Sequence, residues 1–129
     1  MLYEEFDSPR AYDLRQLRRM QNLLRSHLTE RGSLVSTKEL REMIDGLTFL
    51  KNNLQQMPHD WLQRFHREWA VLEDVYSWMV VCNSSQWTQE SREAVQNAVQ
   101  ALCEMVEDAI KQLEPIVLEE ELRFYSVDK

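Results

Sequence analysis

The sequence predicts an all-α fold, a single-domain antiparallel four-helix bundle in up-down-up-down order, on three observations. Glycine and proline are scarce, two and three among 129 residues, which disfavours sheets and phosphate-cradling loops. Four separate stretches repeat apolar residues at alternating spacings of three and four, the period of an amphipathic helix. The connections between them are short, about three to six residues, which makes consecutive helices antiparallel neighbours.

The first helix is expected over about 9–31. Ser8 is its N-cap and Pro9 takes the first helical position, where a missing N–H costs nothing. Gly32 supplies the left-handed stop. Leu14, Leu17, Leu24 and Leu28, with Met20 alongside, form its buried line. The second helix, about 37–57, opens with a capping box of Ser36 and Glu39 and a staple of Val35 on Leu40. Leu40, Met43, Leu47, Leu50, Leu54 and Met57 carry its stripe, and Pro58 follows its end. Phe49 lies off that stripe beside Gly46, either covered by a terminal segment or offered to a partner.

The third helix, about 61–82, is expected to be the hub. It holds Trp61, Trp69 and Trp78, with Asp60 as cap and Asn83, Ser84 and Ser85 at its end. Leu62, Phe65, Trp69, Leu72, Tyr76 and Met79 make one stripe, and Val71, Val75, Trp78 and Cys82 make a second beside it. Together they span roughly 200° of arc, more than one neighbour can cover. The fourth helix, about 89–113, starts after Trp87 at the cap Thr88 and runs along Val95, Val99, Leu102, Val106, Ala109 and Leu113. Pro115 is expected to break or kink it. That leaves two tails, 1–8 and 114–129, the latter as a short C-terminal helix or an extended segment.

Net charge is −7, unevenly spread. Residues 9–31 carry six arginines against Asp13 and Glu30, whereas residues 83–113 carry five acids against Arg92 and Lys111. A basic first helix in an acidic chain suggests internal complementarity, that helix lying beside the fourth or the tail. Cys82 and Cys103 are too far apart for a disulfide in this topology and are expected as reduced, small apolar fillers. The start MLYEEFDSPR has neither a basic stretch nor an apolar run, so no signal peptide is expected. No apolar run approaches the roughly 20 residues needed to span a bilayer. The expected location is cytoplasmic, with no membrane contact.

Motifs for chemistry are missing. The residues three before His27, His59 and His66 are Leu24, Gln56 and Gln63, so no inward Glu-x-x-His pair exists for a di-iron site. No H-E-x-x-H, Cys-x-x-Cys or G-x-S-x-G occurs, and no Arg–His pair has the spacing of helical toxin ribonucleases. No metal, no cofactor and no enzymatic activity are expected.

Two binding classes remain. The first is a protein-binding module, an adaptor, a chaperone-like protein or an inhibitor of the immunity type. Its candidate surface comprises the aromatics Phe49, Trp78, Trp87, Phe124 and Tyr125, residue types enriched at interface hot spots. The acids Glu93, Glu104, Glu107 and Asp108 would suit a basic partner, and a homodimer through the same surface is a second arrangement. The second class is nucleic-acid binding through the basic strip Arg15, Arg18, Arg19 and Arg25. The overall acidity, with a pI near 5.0, opposes it.

Overall fold

A computed structural model of the chain describes residues 7–28, 36–82 and 87–126. Four helices account for nearly all of them: α1 (Pro9–Leu28), α2 (Thr37–Asn52), α3 (His59–Val81) and α4 (Gln89–Ser126). Three caps form as the residues dictate. Ser8 Oγ accepts from the N–H of Ala11 at 3.1 Å, Ser36 Oγ from that of Glu39 at 3.2 Å, and Thr88 Oγ1 from that of Ser91 at 3.0 Å. Each satisfies an amide that the first helical turn leaves without a partner. Gly32, Val35, Asn83, Ser84 and Ser85 lie outside the described residues, as do the ends of both tails.

The helices pack in a ring, α1 on α2 and α4, and α3 on α2 and α4; among the described residues the diagonal pairs do not bring their backbones close. This arrangement is compatible with a bundle. All four contribute to one hydrophobic core, centred on such fully buried residues as Leu17, Met20, Leu40, Leu47, Phe65, Leu72, Leu102 and Val106. No helix among the described residues is long and apolar enough to cross a membrane.

Helix α3 is not the hub. It buries only Phe65, Leu72 and Met79, whereas α4 buries nine residues. Its second stripe runs out to the surface: Val71 and Val75 are half-buried, and Trp78 and Cys82 are exposed. Tryptophan is large enough to cover a neighbour while leaving its own edge in water. The smaller side chains of α4, Val95, Ala98 and Val99, are all buried and suit close approach of a neighbouring helix.

Three helix ends differ from expectation, each for a local reason. Helix α2 stops at Asn52 rather than near 57 because Asp13, on α1, competes for the next amides. Its Oδ1 accepts from Gln55 N–H at 2.8 Å and its Oδ2 from Gln56 N–H at 2.6 Å. Those amides would otherwise bond back to Lys51 and Asn52. Leu54 and Met57 still pack on the core, from the connection. Helix α3 begins at His59, with Pro58 in the cap position and no side-chain cap, so Asp60 sits in the first turn instead.

Helix α4 continues through Pro115 to Ser126 rather than ending near 113. Pro115 and Lys111 are both exposed, so the carbonyl freed by proline faces water. Beyond it, buried Val117 and the contact of Glu120 with Arg10 at 3.8 Å hold the helix on α1. Packing there outweighs the proline.

Candidate functional site

Helix α4 carries most of the acids singled out in the sequence, and its two flanks use them differently. Toward α1, Glu107 meets Arg25 at 3.1 Å, Glu114 meets Arg18 at 3.7 Å and Glu120 meets Arg10 at 3.8 Å. Arg15 turns the other way, to Asp7 at 2.8 Å, with its guanidinium 5.8 Å from the Tyr12 ring centroid. Of the basic strip, Arg19 alone has no carboxylate within 4 Å among the described residues. Between Arg25 and Glu107 lies Cys103, half-buried. Burial raises its thiol pKa, Glu107 raises it further, and Arg25 partly offsets them. The shift disfavours the nucleophilic thiolate. Cys82 is exposed, so it is no core filler.

Toward α3 the seam opens into a groove of about 440 Å³. Its end wall is Gln56, Met57 and Pro58, the segment that Asp13 fixes through the Gln56 amide. Trp61 stands on its α3 side, stacked on buried Phe65 at 5.3 Å between ring centroids. The indole N–H donates to the Met105 carbonyl at a long 3.4 Å, tethering Trp61 across to α4. Met105, Leu113 and Ile116 add apolar surface, and Ala101 and Ala109 supply the small side chains that leave room.

The groove's lips are charged. Arg64, Arg67 and Glu68 come from α3; Glu104 and Asp108 come from α4. No ion pair within 4 Å joins these residues, although Glu104 accepts from Gln100 Nε2 at 3.2 Å. The lining includes no Ser, Thr, Cys or His. Its less exposed lining is mainly apolar, and cations and anions stand at its rim. Among the described residues, no group of three or more His, Cys, Asp or Glu could hold a metal ion.

The remaining candidates are dispersed. Glu93 is near the start of α4, accepting from Gln89 at 3.1 Å. Phe49 is 66% exposed on α2, and no described part of the termini covers it; residues 1–6 and 127–129 lie outside the described residues. Trp78 is exposed near the end of α3, beside Val81, which is 84% exposed. Trp87 is half-buried, packing in part against the core. Phe124 and Tyr125 meet edge to face at 5.1 Å in the last turn of α4. The structure therefore brings Glu104 and Asp108 together, and it does not join the aromatics into one patch.

Sequence reasoning missed Arg64, Arg67, Met57, Met105 and Asp13 as parts of this site. The available signals were Arg64 and Arg67 on one helical face and small alanines on α4 eight residues apart, at Ala101 and Ala109. No family model matches this chain, and neither the curated proteins nor the solved structures provide a match.

Proposed function

We propose that this chain is a non-enzymatic protein-binding module of the cytoplasm, an antiparallel up-down-up-down bundle that docks a partner segment in the α3–α4 groove. The partner seats apolar side chains against Trp61, Met105 and Leu113 and places a basic group against Glu104 and Asp108. The observation that carries this reading is the groove itself, about 440 Å³ with an apolar floor and charged lips that no ion pair closes. Adaptor, chaperone-like and inhibitor roles all use such a contact; an inhibitor of a basic, nucleic-acid-handling protein fits the acidic lip best. The antiparallel order is supported by the α1–α4 ion pairs, since Arg10, Arg18 and Arg25 meet Glu120, Glu114 and Glu107 in reverse sequence.

Nucleic-acid binding through α1 is the weaker reading. Arg10, Arg15, Arg18 and Arg25 already face carboxylates, and phosphates would have to displace them. The test is purification of the tagged chain from its own host, with and without nuclease, beside the variants E104K/D108K and R18A/R19A. A stoichiometric protein that survives nuclease, stays with R18A/R19A and leaves E104K/D108K is the expected result. A partner retained by E104K/D108K would refute the groove. Nucleic acid recovered without nuclease and lost at moderate salt would transfer the function to α1.

A further inference from the structure

The outer face of α4 changes character part-way along one line. Asn97, Gln100, Glu104, Asp108 and Lys111 occupy it at helical spacing, all exposed and polar. The same line then continues as Pro115, Leu118, Leu122 and Tyr125, spaced three, four and three. Leu118 is 56% exposed and Leu122 is 62% exposed. A solvent face needs no leucine pair a turn apart; apolar residues at this spacing are what a second helix packs against. The inward line of the same segment, Val117 and Glu120, is already occupied by α1.

The flanks of the stripe say what sort of helix fits. With Leu118 and Leu122 as core positions of a heptad, the bordering positions are Glu114 and Glu121 on one side and Glu119 and Ser126 on the other. Glu114 reaches Arg18 at 3.7 Å and Glu119 reaches Arg123 at 2.6 Å, both in exposed pairs. Residues at these bordering positions select partners by charge. Residues 114–126 carry four glutamates against Arg123, so a second copy would set like net charge against this face. The chain's own first seven residues, MLYEEFD, hold three acids and no base. Both self-occupants are opposed by like charge.

We infer that the Leu118–Leu122 face of α4 is a second docking surface, for an amphipathic helix of a partner protein whose apolar stripe is bordered by lysine or arginine. It continues the line of the groove's acidic lip, but neither Leu118 nor Leu122 lines the groove, and either site can fail without the other. The test uses the full chain and two synthetic helices of about three heptads, with leucine at the core positions and either lysine or glutamate at the bordering ones. Binding is read by fluorescence anisotropy at low salt. The lysine helix should bind at least about tenfold tighter than its glutamate twin, and L118D/L122D should weaken it about tenfold or more. E119K/E121K should reverse the preference. The thermal midpoint of L118D/L122D should stay unchanged, because both leucines are exposed.

Equal binding of the two helices, or none, would overturn the inference. So would a dimer of the full chain that L118D/L122D dissociates, which would make a second copy the occupant. Lysine-helix binding that appears only after removal of residues 1–6 would make the N-terminal segment the occupant, and would overturn it too.

Discussion

Helix α4 meets α1 along one flank and α3 along the other, and both seams mix arginines with carboxylates. Against α1 the charges find each other, at Arg10–Glu120, Arg18–Glu114 and Arg25–Glu107. Against α3, Arg64 and Arg67 line the same groove as Glu104 and Asp108 without an ion pair. The groove, more than charge composition, separates the open seam from the closed one. Leu14, Leu17, Val106 and Ile110 are buried in the core, while Trp61 and the Met57–Pro58 segment line the open groove. Charges across the closed seam meet in exposed ion pairs. Those around a groove remain available to a partner.

The largest effect on this contrast should come from beneath the groove. Phe65 is fully buried and supports Trp61, so Phe65→Ala should destabilise by about 3–5 kcal/mol in urea unfolding. A loss below about 1 kcal/mol would mean that the groove floor does not rest on the core. Asp13 ties the α1 side of the molecule to the groove's end wall, and its carboxylate is 0% exposed. Asp13→Ala removes both acceptors and should cost about 2–4 kcal/mol. Asp13→Asn keeps one acceptor and should cost distinctly less; equal losses would argue that the two amide bonds are not what Asp13 supplies.

Proline in a helix interior is disfavoured by about 3 kcal/mol relative to alanine. Pro115→Ala should therefore stabilise the protein by about 1–3 kcal/mol and leave its helical circular dichroism at or above that of the parent. If stability does not rise, α4 is interrupted at that point in solution and the Leu118–Leu122 face has no rigid support. The smallest effect separates the two seams directly. A double-mutant cycle on Arg25 and Glu107 should give a coupling of about 0.2–1 kcal/mol, as exposed pairs do, and a cycle on Arg64 and Glu104 should give none. Coupling of the same size in both cycles would erase the distinction.

Much of the fold was legible because its determinants are local. Ser8 with Pro9, Ser36 with Glu39, and Thr88 each start a helix through bonds spanning three residues, and the stripes of α2 and α4 follow from period alone. What was not legible depends on distant partners. Asp13 ends α2 through bonds to residues 42 and 43 positions away. Pro115 reads as a stop unless one knows that it faces water and that α1 holds the turns after it. The tryptophans of α3 suggest a hub by hydrophobicity, yet their size places them at the boundary. Glu104, Asp108, Arg64 and Arg67 were all visible as residues. Their meeting around one groove depends on which helices are neighbours, and no one-dimensional pattern carries that.

The most direct test of the groove as a docking site is site-specific photo-crosslinking in the native host. A benzophenone amino acid would replace Gln112, which lines the groove, and in a second strain Arg18, which sits on the closed α1 seam. The docking account predicts one protein adduct at Gln112 and none at Arg18. An adduct at Arg18 alone, or a co-purifying partner that never crosslinks through Gln112, would contradict it.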